Sequence, residues 1–252
     1  MNRSLPGLGL CALAALVLVI SPAPRAQQPG AAPANTPRAR ATSDLTGNWV
    51  SVVTEDWRWR MVTPDKGDFT SIPVSDEGRR VAGLWDPASD GSCKAFGAAG
   101  LMRMPTRLRI SWQGDDVLKV ESDAGQQTRL LRFAPKEAAG ARSLQGFSVA
   151  EWETLGVPGA RGGGRGGPPP VALKVVTTNL QEAWLRRNGI AYSEQTTLTE
   201  YWDRVAFPNG DVWLTVSQYV NDPVYLTGDY TTSMHFKREA DDSKWTPSPC
   251  RN

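Results

Sequence analysis

Short runs of alternating apolar and polar residues, separated by turn-forming residues, recur through most of this 252-residue chain. Leu108, Ile110 and Trp112 alternate with Arg109 and Ser111 before the turn Gly114-Asp115-Asp116. Leu118 and Val120 alternate with Lys119 and Glu121 before Asp123-Ala124-Gly125, and Arg129 to Phe133 continues as a third strand. A period of two sends successive side chains to opposite faces of a strand, and close turns make neighbours antiparallel. A second series follows as Leu173–Thr178, Thr196–Phe207, Val212–Val220 and Thr231–Lys237, with Asn209-Gly210 as the strongest hairpin signal. No strand alternates with a long helix, which argues against a parallel α/β sheet. A sheet this long curls, and closure removes its exposed edges. The expected class is therefore all-β: an antiparallel barrel with one or two short helices. A two-sheet β-sandwich is the alternative.

The first strand reads as a long one. Trp49, Ser51, Val53, Glu55, Trp57, Trp59 and Met61 share one face, which is apolar and aromatic apart from Glu55. Ser75-Asp76-Glu77 reads as a helix cap, with Val81, Leu84 and Trp85 forming an apolar stripe that Asp86-Pro87 ends. Gln181–Arg187 reads as one helical turn closed by Asn188-Gly189. The block from Gly159 to Pro170 holds no hydrophobic residue beyond Ala160, so it is expected to be a flexible loop inside a hairpin.

The chain opens with Arg3, an apolar run from Leu8 to Ile20 and a small-residue exit ending at Ala26. These are the parts of a secretory signal peptide, and the run is shorter than the ~20 residues of a membrane-spanning helix. The expected organisation is a leader at 1–26, a disordered N-terminus at 27–44 and one barrel domain at 45–252. The mature chain is expected to be periplasmic or secreted, with no transmembrane segment. Without Arg3 and Arg25 the 28 Lys+Arg fall to 26, matching the 26 Asp+Glu, so no global pull toward nucleic acid or anionic membrane exists. Cys11 departs with the leader, leaving Cys93 and Cys250 as an even pair in an oxidising compartment. The expected disulfide would stabilise by ~4–5 kcal/mol on the loop-entropy argument, the alternative being two free thiols. One His and two widely spaced Cys do not build a typical zinc shell, and no cofactor is expected.

Leu45-Thr46-Gly47-Asn48-Trp49 is similar to the Gly-x-Trp opening of lipocalins. Further along come Cys93, Met104-Pro105, Trp112, Gly146-Phe147-Ser148, Trp152-Glu153 and Leu173-Lys174-Val175-Val176-Thr177. The series ends with Tyr192-Ser193-Glu194, Thr199-Glu200, Asp222-Pro223 and Cys250. In this order it resembles a group of uncharacterised secreted bacterial proteins expected to form lipocalin-like barrels. The resemblance implies that 154–171 is an insertion at a strand-to-strand turn. The chain departs from the group in having Tyr192 where relatives often show His, so the resemblance implies no histidine chemistry there.

Gly146-Phe147-Ser148-Val149-Ala150 approaches a nucleophile elbow, but the strand-to-helix turn that such an elbow needs is absent. Gly162, Gly164 and Gly167 precede three prolines rather than a helix, so no phosphate cradle follows. His235 lies between the inward positions Met234 and Phe236 and is expected to face solvent. The stronger candidates are polar residues on apolar faces: Glu55 with Trp57 and Trp59, and Glu200 with Leu198, Trp202 and Arg204. A lone carboxylate there is costly, and Arg204 is the expected partner of Glu200. The expected function is binding of a small hydrophobic molecule in an aromatic-lined barrel. Trp57, Trp59, Trp112, Tyr192 and Trp202 supply surface in this reading, and Glu55, Glu200 and Arg204 orient a polar group. Two alternatives stand: a cofactor-independent isomerase, cyclase or hydratase using Glu55 or Glu200 as acid and base, and a structural envelope module.

Overall fold

A computed structural model describes residues 35–154 and 171–251. Its strands are β1 (Gly47–Val52), β2 (Arg107–Gln113), β3 (Val117–Ser122), β4 (Ala124–Gly125), β5 (Thr128–Phe133), β6 (Phe147–Thr154) and β7 (Val171–Thr178). They continue with β8 (Ala183–Arg186), β9 (Ile190–Tyr192), β10 (Thr197–Ala206), β11 (Val212–Asn221), β12 (Tyr230–Glu239) and β13 (Ser248–Pro249). The helices are α1 (Trp57–Arg60), α2 (Asp76–Ala82) and α3 (Ala98–Leu101), with 3₁₀ turns at Pro87–Ser89 and Cys93–Phe96. The leader expected at 1–26 lies outside the described residues, as do residues 27–34 and 155–170.

Nine strands close a barrel in the order β1-β12-β11-β10-β7-β6-β5-β3-β2. A ring with an odd number of strands cannot alternate direction at every step. One pair must run parallel, and it is β5 with β6, matching Leu131 to Ser148 and Phe133 to Ala150. Every other neighbouring pair in the ring is antiparallel. The expected all-β barrel is thus present, with this one exception to the antiparallel pattern. A sandwich is not formed, because β1 pairs with both β2 and β12 and leaves no free edge in the ring.

The alternation read from the sequence places one face of each strand in the bore. Leu108, Ile110, Leu118, Val120, Leu131, Leu173, Val175, Trp202, Leu214, Val216, Met234 and Phe236 form a buried core there with Trp49. One end of the barrel is closed by the excursion between β1 and β2 together with the β8–β9 hairpin. Ile72, Val74, Ala98, Ala99, Leu180, Ala183, Tyr192, Leu198 and Val220 pack together under that cap. Ser75 caps α2 as expected, accepting the Gly78 N–H at 3.1 Å. Cys93 and Cys250 form the expected disulfide, which ties the chain end to the 3₁₀ turn beside the cap. No helix among the described residues is long and apolar enough to cross a membrane.

Two local expectations are corrected. The first strand ends at Val52, not near Met61. Asp56 takes a left-handed conformation (φ 58) and the chain turns into α1. Arg60 then folds back and donates to the carbonyls of Val52 and Arg103. The helical turn expected at Gln181–Arg187 is instead the hairpin β8–β9. Asn188-Gly189 does turn the chain, but as a hairpin loop whose buried Asn188 amide donates to the Asp65 and Asp68 carbonyls. Gly189 has φ +81 and its α-carbon faces the Trp85 ring, so any side chain there would collide with the indole.

Candidate functional site

The bore has two polar features. Beneath the cap lies a buried layer in which the Arg129 guanidinium donates to both oxygens of Glu200, at 3.0 Å for Nη1 to Oε1. Both side chains are fully buried. The Gln218 amide also donates to Glu200 Oε1 at 2.9 Å. Thr177 accepts from Arg129 and shares a hydrogen bond with Ser148. The charge-assisted, two-pronged geometry compensates the cost of burying both ions. Glu200 therefore pairs with Arg129 on β5, not with Arg204 on its own strand. Its oxygens are occupied, so it presents no free edge to a ligand.

The opposite end is the mouth of the barrel, and it is aromatic. The Trp112 and Phe133 rings lie 5.4 Å apart, and the Phe133 and Trp152 rings 6.3 Å apart in a stacked arrangement. Trp152 and Trp202 both oppose Leu173 in register, on either side of β7. Their side chains are thus about two strand spacings apart, roughly 10 Å, on the inward face. Trp112, Trp152 and Val212 are half-buried and pack on the bore core, whereas Trp202 is fully buried. The indole N–H groups of Trp152 and Trp202 and the Nε–H of Arg204 are all buried without an acceptor among the described residues. Buried donors are normally paired, so these three are able to take an acceptor.

A cleft of about 470 Å³ opens at this end, lined by Phe133, Ala150, Trp152, Val149, Pro37 and Arg40, among others. It exists because β6 runs on past the last residue it shares with β5, leaving Glu151 to Thr154 unpaired on that side. The N-terminal segment borders the mouth, with the Arg38 N–H donating to the Asp115 carbonyl in the β2–β3 turn. Asp44 lies within electrostatic reach of Arg238 and Arg204. Burial pulls its carboxyl up, but hydrogen bonds from Thr46 and those two charges outweigh it and hold it below the usual range. Arg204 thus acts on Asp44 through space, while Glu200 is held by Arg129.

Of the residues singled out from sequence, Trp112 joins the ring stack, Trp202 packs in the bore core, and Arg204 follows it on β10. The others lie elsewhere. Glu55 is exposed outside the barrel, 2.7 Å from His235 Nδ1. His235 accordingly faces outward, edge-on to Trp213. Trp57 is 60% exposed on α1. Trp59 has the guanidinium groups of Arg58 and Arg186 at 5.4 and 5.3 Å from its ring centroid. Tyr192 is buried under the cap, where desolvation pushes its phenol well above the ordinary range. The shared cavity expected for Glu55 and Glu200 is therefore absent, because the turn at Asp56 carries α1 off the barrel wall. Ser148 sits on β6 bonded to Thr177, and among the described residues no base hydrogen-bonds to it. Arg129, Phe133 and Trp152 were missed as site residues. Arg129 and Phe133 share the phase of Leu131, so the β5 alternation already carried that signal.

No family model matches the chain, and neither the curated proteins nor the solved structures searched contain a significant match.

Proposed function

We propose that the protein binds a small, mainly apolar molecule carrying a hydrogen-bond acceptor at the aromatic mouth of the barrel. The observation that carries this reading is the set of buried, unmatched donors on Trp152, Trp202 and Arg204 beside the Trp112–Phe133–Trp152 stack. The cleft volume falls within the range of small-molecule sites, and the mixture of aromatic walls with a few polar groups is their usual makeup. The lipocalin-like resemblance supports the same use of a barrel. Binding is favoured over acid–base catalysis because Glu200 is locked by Arg129 and Gln218, and Glu55 lies outside the bore. The reading includes export. The leader-like opening of the sequence and the Cys93–Cys250 disulfide support an oxidising compartment.

A titration with prodan, a neutral apolar fluorophore that carries a carbonyl acceptor, tests the site. Saturable binding with energy transfer from tryptophan is expected. Trp152→Ala combined with Phe133→Ala should weaken it about tenfold or more, since aromatic contacts contribute ~0.5–1.5 kcal/mol each beyond area burial. Unsaturable uptake, or equal affinity in the double variant, rejects the mouth as the site.

A further inference from the structure

A second cavity lies on the cap side of the barrel, remote from the mouth. It is lined by Arg60 from α1, Arg103 after α3, Arg186 and Arg187 from the β8–β9 hairpin, with Trp59, Met104 and Leu185 also in its wall. Its free volume is about 10 Å³, room for one particle of roughly water size. Arg60, Arg103 and Arg186 are 3%, 7% and 5% exposed.

Guanidinium groups this deeply buried are normally matched by carboxylates. Here most of their partners are neutral. Arg60 donates to the carbonyls of Arg103 and Val52. Arg186 donates to the carbonyls of Asp68 and Thr70 and to the Tyr230 hydroxyl, and Arg187 to the carbonyl of Arg60. Among the described residues, Arg103 alone of the four forms an ion pair, with Asp56 at 3.3 Å, and it also donates to Thr232. Asp68 and Glu55 act on Arg186 and Arg60 only through space, their oxygens being held by Arg58 and the Trp59 indole and by His235. Three N–H groups are left buried without an acceptor among the described residues: Arg60 Nη2, Arg186 Nε and Arg187 Nε. Burial, then the charge of Arg103, pulls the Arg60 guanidinium down to about 10.

We propose that this cavity binds a small monovalent anion of about the size of chloride, held between Arg60, Arg186 and Arg187. The anion would supply the missing negative charge and accept the three open donors, tying α1 to the β8–β9 hairpin. The volume selects against tetrahedral oxyanions, which need several oxygen positions at once.

The test uses the full chain in gluconate buffer, with chloride replacing gluconate at constant ionic strength. A saturable rise in Tm of several degrees is expected once chloride exceeds its Kd by about a hundredfold. Arg187→Gln removes the least buried of the three holders, and the chloride-dependent rise should fall at least about threefold. Crystals grown in bromide should show anomalous scattering between Arg60, Arg186 and Arg187, a readout needing no variant. Equal chloride responses in both proteins together with no bromide peak overturn the proposal. So does stabilisation by phosphate but not by chloride, which would mean a larger site than the structure describes.

Discussion

The Arg129–Glu200 pair invites a double-mutant cycle. Both side chains are fully buried, and Glu200 accepts from two guanidinium nitrogens and from Gln218. Glu200→Gln keeps the shape and one acceptor oxygen but leaves a guanidinium charge in the bore without a counter-ion. Arg129→Met leaves the carboxylate alone instead. Breaking a buried pair from one side costs about 3–5 kcal/mol, whereas replacing both members by apolar residues is often neutral or stabilising. Glu200→Gln should sit near the lower bound, about 3 kcal/mol, because one acceptor survives. Arg129→Met should cost about 4 kcal/mol, and Arg129→Met/Glu200→Gln, which leaves no unpaired charge in the bore, should recover at least half of that loss. For a domain of this size each kcal/mol moves Tm by about 2–4 °C, so the single variants should melt roughly 6–16 °C lower. Guanidinium chloride unfolding, followed by tryptophan fluorescence, provides the free energies. Additive losses in the double variant, or a single-variant cost under about 1 kcal/mol, would refute the view that the pair is a mutually compensating structural unit.

Removing the Cys93–Cys250 disulfide by double substitution to Ser should cost about 5 kcal/mol in the loop-entropy model, given a sequence separation of 157. Chemical unfolding of the oxidised protein and the variant checks this, and coincident curves would contradict it. Gly189→Ala should destabilise by more than about 2 kcal/mol, since a left-handed glycine there (φ +81) also abuts Trp85. Gly210→Ala, at φ +88 but in open space, should cost only about 1 kcal/mol, and equal effects would remove the steric argument. Burial and the Glu182 carboxylate push the Tyr225 phenol up to about 12, and Tyr192 is raised further by burial alone. A raised folded value gives stability that is complete below the unfolded value of 10.0 and is lost as pH rises above it. Stability should therefore fall from pH 10 toward 12, and less steeply in Tyr225→Phe; identical pH profiles would dismiss the linkage.

Much of the barrel was legible because its strands bury one face and solvate the other. Leu108, Ile110, Leu118 and Val120 could be placed from their period alone, and the bore confirms that phase. The stretch from Val53 to Met61 misled for a physical reason. A period of two over Trp57, Arg58, Trp59 and Arg60 also fits a single helical turn, and only the left-handed turn at Asp56 decides between them. Glu200 was legible as an inward acid, but its partner was not. Arg204 is its neighbour in sequence on the same face, whereas Arg129 reaches it across the bore from a strand three places away around the ring. That closeness exists only after closure, and strand alternation is silent about which walls face each other. The mouth was half legible for the same reason. Trp112 and Trp202 carried the alternation, but the cleft beside Trp152 arises from the overhang of β6.

The parallel β5–β6 junction is matched over only three residue pairs, whereas β10 and β11 are matched over ten. It is the weakest seam in the ring, so thermal breathing of the wall should begin there, and amide protons of Leu131 to Phe133 should exchange before those of β11. Phe133, Ala150 and Trp152 line the cleft at the same place. A guest admitted through that gap would bridge the two sides of the seam, so admission and stiffening of the wall become one event.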